Sequence, residues 1–405
     1  MTPEDIKIRQ EDALEQFYSG IKSEQTKRTL GGNLKYFLLI VCSDLLKGDY
    51  KMRAQQFVEM TRDDQKRATG IVMAYVKHLA SRTALEKSHP NYIKPSYVPN
   101  KIKPIQKLLV MNELGLPWKK IRTLYPEIDN ATQSRGYTRD EIKKMLEFSD
   151  GVDTDFIILA SSSGGLRVGA WEDQRWENIK PIYEIDGEYN IEEKQGKVVC
   201  ATMTVYKGTS WEYQSLISIE AWEKLLAYKK IWTGIRQRTP NGDDPLLLAQ
   251  NYKKKPLTVI GVKSRIATLL EKSGLRTPLT EGKRLHDVPA THGFRRYWNK
   301  VMMQTKRKKG TLSALVTKEY LLGHKGLVKT DRNYFWVDIL EQVSEYLEAM
   351  PELMISDETR LRQKLEAQIE RSKNLETANE KLQGAVQKIS ELESKVRRME
   401  QYRSS

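Results

Sequence analysis

From residue 375 onward, apolar or small side chains fall at Leu375, Ala378, Leu382, Ala385, Ile389, Leu392, Val396 and Met399. The steps alternate between three and four, a heptad seam that a long helix holds on one face, flanked by Glu, Lys, Gln and Arg. Leu361, Leu365 and Ile369 are out of register with that seam, which predicts a stutter or a separate helical segment. Residues 353–405 are therefore expected to form a coiled-coil or helical tail. Such a tail serves self-association or an accessory protein, or folds back on its own domain as a single helix.

The rest of the chain divides by pattern. Residues 24–46 carry Leu30, Leu34, Phe37, Leu38, Val41 and Leu45 close to a 3.6-residue period, with Lys22, Lys27, Arg28 and Lys35 on the other face. Residues 63–79 and 101–114 read as further helices. Pro90, Pro95, Pro99 and Pro104 predict an extended loop between them. Residues 126–137 are polar, turn-rich and poor in apolar anchors, as an interdomain linker would be. Thr138 with Glu141 three residues on is a capping-box signature. Beyond it, 155–161 reads as an apolar helix, 197–206 and 214–219 as strands, and 221–231, 257–273 and 292–303 as helices. The expected fold class is mainly α with a small antiparallel β-sheet. The expected domains are a helical DNA-clamping domain (1–130), a mixed α/β domain (131–352) and the tail (353–405).

Composition narrows the partner. The 405 residues leave room for two compact domains and an extension. A hydrophobic content of 39% with eight tryptophans supports real cores and excludes a disordered polycation. The net charge of +15, spread along the chain, favours a polyanionic partner, most often nucleic acid, through counterion release. Cys42 and Cys200 lie far apart with no metal-ligand spacing, which suits a reducing compartment. The most apolar run, 34–42, is too short to cross a bilayer. A cytoplasmic, DNA-associated protein without a membrane segment is the expectation.

A few polar residues then recur in a telling order. Arg167 ends Gly164-Gly165-Leu166-Arg167, and Lys207 follows Val205-Tyr206. His292 and Arg295 share His292-Gly293-Phe294-Arg295, His324 closes Leu321-Leu322-Gly323-His324, and Tyr334 sits in Arg332-Asn333-Tyr334-Phe335. Attack on a phosphodiester builds charge on its non-bridging oxygens, and the planar, permanently charged guanidinium suits that charge. Arg167 and Arg295 are the candidate clamp. Tyr334 is the candidate nucleophile, His292 the general base, His324 a hydrogen-bond donor to the phosphoryl group and Lys207 the acid at the leaving oxygen. Tyr320 and Tyr346 compete with Tyr334, and His286 in His286-Asp287-Val288-Pro289 competes with His292.

With these motifs the chain resembles the tyrosine recombinase, or phage-type integrase, family, particularly the integrases of archaeal mobile elements, over most of residues 20–350. The Gly164–Arg167 stretch continuing to Trp176-Glu177-Asn178-Ile179, Lys207-Gly208, the His292–Arg295 box, and Leu322-Gly323-His324 with Tyr334 match the family's boxes in order. Thr26-Lys27-Arg28-Thr29 and Arg135-Gly136-Tyr137-Thr138 are similar to its core-binding module and domain junction. The resemblance implies a 3′-phosphotyrosyl intermediate on Tyr334, stabilised by Arg167, Arg295 and His324 and assisted by Lys207 and His292. It also implies four protomers on two DNA attachment sites and neither a metal nor a nucleotide cofactor. Lys27, Arg28, Lys35 and Arg135 are the expected DNA contacts. Ala170 stands where many relatives carry an acid, with Glu172 and Asp173 close by, and the interval from His324 to Tyr334 is one residue longer than in many bacterial members. A chromosome-dimer resolvase, a type IB topoisomerase, or a catalytically silent DNA-binding protein are the competing readings.

Overall fold

A computed structural model describes residues 12–128, 135–191, 196–249, 255–276, 286, 288–305, 311–324 and 338–403. These residues form two compact units, one built from 12–128 with 286 and the other from 135–276 and 288–403.

The first unit is all helical: α1 (Ala13–Ser19), α2 (Glu24–Tyr36), α3 (Tyr50–Asp63), α4 (Gln65–Thr83), α5 (Val98–Met111) and α6 (Trp118–Arg122). Asp12, Ser23, Asp49 and Asp64 each precede a helix and accept a hydrogen bond from a first-turn amide, satisfying donors the helix itself cannot. Phe37 meets Phe57 edge-on at 5.3 Å and lies 5.3 Å from Tyr75, joining α3 and α4 to the end of α2. The α3 helix has no counterpart among the expected elements. Its buried Ala54, Phe57, Val58 and Thr61 nevertheless follow the i, i+3, i+4, i+7 rule.

Two expectations for this unit need correction. The helix expected over 24–46 widens after α2 into a π-helical turn, Phe37–Val41, closed by the Cys42 amide on the Phe37 carbonyl at 3.0 Å. Arg53 donates to the Leu38 and Leu39 carbonyls, each at 3.1 Å, and so satisfies backbone groups at the irregular turn. The proline-rich loop is also shorter than expected, because Pro99 lies in the first turn of α5 and Pro104 inside it. A proline at 104 removes the amide that would bond the Asn100 carbonyl. Asn33 Nδ2 from α2 donates to that carbonyl at 3.3 Å, so a tertiary contact replaces the missing one.

The second unit packs helices around a four-stranded antiparallel sheet: β1 (Ile179–Ile185), β2 (Glu188–Asn190), β3 (Lys197–Val205) and β4 (Tyr213–Ser218), in the order β2-β1-β3-β4. Its helices are α7 (Arg139–Glu147), α8 (Val152–Gly164), α9 (Ile219–Arg236), α10 (Val259–Lys272), α11 (His292–Gln304), α12 (Thr311–Leu321), α13 (Val343–Leu353) and α14 (Asp357–Arg403). Mainly helical structure with one small antiparallel sheet is the fold class the patterns predict. The Thr138–Glu141 capping box is present, with the Glu141 amide on Thr138 Oγ1 at 3.2 Å and the Thr138 amide on Glu141 Oε2 at 2.8 Å. The first two strands were not among the expected elements. Asp186 and Gly187 link them at φ 51° and 86°, the positive pair that a tight hairpin needs.

Buried on every side from Phe156 to Gly164, α8 has no polar face. It is the hub of the unit. Ser215 Oγ on β4 donates to the Gly164 carbonyl at 2.9 Å, the Ser218 amide donates to Ser163 Oγ at 3.1 Å, and Tyr346 Oη on α13 donates to the Ser163 carbonyl at 3.1 Å. The expected linker is better anchored than its composition suggests. Although 129–134 lie outside the described residues, Tyr137 is buried, and its hydroxyl donates to the Ala290 carbonyl at 2.7 Å.

The out-of-register leucines do not break the tail. A single helix, α14, runs through them from Asp357 to Arg403. Its start is pinned by Arg139 and Lys143 on Asp357 at 2.6 and 2.9 Å, and by Glu220, which accepts from the Ile355 and Ser356 amides at 2.9 and 2.8 Å. Among the described residues, no helix is long and apolar enough to cross a membrane.

Candidate active site

Three chain turns in the second unit converge on one backbone oxygen. The first ends α8, where Gly165 adopts φ +60° beneath the Trp298 ring; a Cβ there would lie 2.8 Å from that ring. Only glycine suits both demands. Arg167 follows in extended backbone and donates through Nη1 to the Leu322 carbonyl at 3.2 Å. The second turn is the start of α11. Arg295, 9% exposed, donates through Nη1 to the Gly165 carbonyl at 2.8 Å and through Nη2 to the same Leu322 carbonyl at 2.8 Å.

The third is the end of α12. Gly323 takes φ +62°, with its amide on the Tyr320 carbonyl at 2.8 Å and the His324 amide on the Glu319 carbonyl at 3.0 Å. This double closure is a Schellman cap. It gives the Leu-Leu-Gly-His motif a structural meaning. The cap aims the Leu322 carbonyl at both guanidiniums and sets His324 beside them, its Nε2 3.1 Å from Arg295 Nη2. On the other side of the ring, His324 Nδ1 lies 2.6 Å from Glu319 Oε2. That geometry fits a proton on Nδ1 and a lone pair on Nε2 facing Arg295. Burial works to raise the Glu319 carboxyl, but hydrogen bonds from His324 and Lys318 outweigh it and hold the group below its usual range.

The site is therefore electropositive. Among the described residues no carboxylate bonds either guanidinium. Burial first, and then the charge of Arg167, pull Arg295 down to about 10, which still leaves it charged at neutral pH. An anion between the two would satisfy both. His292, the first residue of α11, lies one turn before Arg295, as the His-x-x-Arg spacing requires. Partial burial and the charges of Arg295, Arg296, Arg167 and Lys263 push its imidazole below 6.5, toward the neutral form that accepts a proton.

Lys207 occupies the β3–β4 turn as expected, between Tyr206 at φ 56° and Gly208 at φ 75°, but its ammonium is 2.7 Å from Glu177 Oε1. Tyr334 lies outside the described residues. Of its competitors, Tyr346 is fully buried and bonded to Ser163, which removes it as a nucleophile. Partly buried Tyr320 lies in α12. In the first unit, Arg28 and Lys35 are exposed on α2, while Lys27 pairs with Glu24 at 2.8 Å. Arg135 is held by both carboxylate oxygens of Glu141, at 2.7 and 2.5 Å.

Three residues have no place in the sequence reading. Glu319 orients His324 from within α12, and no spacing rule singles it out beforehand. Tyr213 packs its ring where a Cβ on Gly323 would lie 2.4 Å away, and Arg295 and Arg167 act on its phenol against the upward push of burial. Tyr206, its ring 6.1 Å from that of Tyr213, carries its hydroxyl to the edge of Gly169. Ala170 is fully buried, so the carboxylate at this site comes from α12 and not from the position three residues after Arg167.

No protein-family model matches the chain, and no curated protein does. Solved structures similar to it include the crystal structure of XerA recombinase, with 16% identity over 83% of this chain and 97% of that one at a TM-score of 0.33. A lambda integrase dimer bound to a COC′ core site matches at 15% identity over 77% and 99%, with a TM-score of 0.39. The Tn1549 transposon integrase in complex with transposon right end DNA matches at 12% identity over 81% and 96%, with a TM-score of 0.44.

Proposed function

We propose that this chain is a site-specific DNA recombinase of the tyrosine type, an integrase that moves a mobile element of the archaeal kind in and out of a chromosome. The observation that carries the reading is the sharing of the Leu322 carbonyl by Arg167 and Arg295, with His324 at their side. A phosphodiester oxygen entering there replaces one weak acceptor with the charged one the two forks are shaped for. In this reading Tyr334 Oη attacks the phosphorus, its proton passing to His292. A P–Oη bond forms as the bond to the 5′ oxygen breaks, and Lys207 leaves Glu177 to protonate that oxygen. Arg167 and Arg295 hold the charge of the transition state, and His324 joins them when its Nε2 turns from acceptor to protonated donor, Glu319 holding Nδ1. Rejoining runs the same steps backward with a new 5′-hydroxyl, so neither metal nor nucleotide is consumed.

Residues 1–130 serve as the DNA clamp, 131–352 as the catalytic domain, and four protomers exchange strands between two duplexes. The test is covalent trapping on nicked attachment-site DNA. The wild-type chain should form an adduct, and Tyr334→Phe should abolish it while DNA binding stays within about twofold. An adduct that survives in Tyr334→Phe moves the role to another tyrosine; relaxation of supercoils without a partner site would point to a topoisomerase.

A further inference from the structure

Every residue from 375 to 395 of α14 is exposed, so over that stretch none of the described residues covers the seam. Leu375, Leu382, Ile389 and Leu392 are between 56% and 70% exposed, a run of large apolar side chains along one stripe. Such a stripe on a 47-residue helix calls for a cover. The charges beside it say which cover fits.

With Leu375 at a, the seam continues as a and d through Met399. Lys381, Lys388 and Lys395 then occupy successive g positions, and Glu393 and Glu400 the last two e positions. In a parallel pair in register, each g faces the following e of the other helix. Lys388 then stands opposite Glu393 of the second copy, and Lys395 opposite Glu400 of the second copy. In an antiparallel pair g faces g, setting Lys388 against Lys388 and Lys381 against Lys395, while Glu393 loses its lysine and meets Asn379. Ile389 and Val396 at a with Leu392 at d favour two strands over three or four. Ala378 and Ala385 at d leave room for close approach in the first two heptads.

We propose that α14 pairs with α14 of a second copy of this chain as a parallel, in-register, two-stranded coiled coil. The pairing stands whether or not the catalytic reading does. Sedimentation of the full chain without DNA, at tens of micromolar and low salt, should show a dimer. Ile389→Asp with Leu392→Asp should return it to monomer with the thermal unfolding of the rest unchanged. Lys388→Glu with Lys395→Glu should weaken the dimer by about tenfold, and mixing that variant with Glu393→Lys plus Glu400→Lys should restore pairing between the two. Orientation is read by oxidative cross-linking, since Cys42 and Cys200 are buried. Leu375→Cys should link to itself. A monomeric wild-type chain, a dimer indifferent to these substitutions, or cross-linking of Leu375→Cys only with Met399→Cys overturns the proposal.

Discussion

Arg295 is buried, bonded to carbonyls and His324 through its guanidinium nitrogens, and repelled by Arg167. A guanidinium kept in that state is poised for an anion, and ligand linkage makes the point measurable. Sulfate or phosphate at millimolar concentration should raise the melting temperature of the wild-type chain. Arg295→Ala should lose that response, and its single-turnover DNA cleavage should fall by at least ~100-fold. Retention of the thermal shift in Arg295→Ala would place the anion elsewhere. His292 gives a second handle. Burial and the neighbouring cations hold its folded imidazole below the ordinary 6.5, so well above that pH it is neutral in both folded and unfolded chains and contributes nothing to pH dependence. Below 6.5 the unfolded chain takes up the proton first, and stability falls as pH drops through the window down to the folded value. Cleavage that needs neutral His292 should therefore persist below pH 6.5, with its acid limb shifted down. A pH–rate profile from 5 to 8 checks this, and His292→Gln should remove the limb.

At the scale of elements, the Schellman cap on α12 joins fold and chemistry. Gly323 has a positive φ, and any Cβ there runs into Tyr213 at 2.4 Å. Gly323→Ala should cost about 1–3 kcal/mol of stability by thermal unfolding, the scale of backbone strain plus overpacking. It should also slow cleavage by more than the lost folded fraction accounts for, because the cap sets both the Leu322 carbonyl and His324. Elements carried by a repeating pattern were legible beforehand: the α8 core helix, β3, β4 and the long tail. The residues of the Arg–His cluster were legible too, because each sits beside a glycine or at helical spacing from its neighbour. What stayed hidden depends on contacts between distant segments. Asn33 rescues the carbonyl freed by Pro104, Arg53 supports the π turn, and Glu319 holds Nδ1 of His324. No local window contains both members of any such pair except the last, where Glu319 lies five positions before a histidine whose orientation only the cap determines.

For the whole molecule acting as the proposed recombinase, what matters is how much of the +15 net charge would meet DNA. Positive charge already matched inside the protein releases no counterions on binding, so formal charge overstates the footprint. Arg135 is matched in this way by Glu141 and Lys27 by Glu24, whereas Arg28 and Lys35 present exposed cations on α2. Affinity for attachment-site DNA should fall linearly with the logarithm of salt. Arg28→Ala and Lys35→Ala should each reduce the steepness of that line by roughly 0.9, the value of one phosphate contact on duplex DNA. Lys27→Ala should change it less, because the wild-type lysine must first give up its glutamate. Arg135→Ala should leave the slope unaltered and instead lower the melting temperature, since its fork braces the Glu141 carboxylate that caps α7. Fluorescence anisotropy across 50–400 mM salt separates the two classes. A full unit of slope lost with Arg135→Ala, and none with Arg28→Ala, would reverse the assignment of which cations face the duplex.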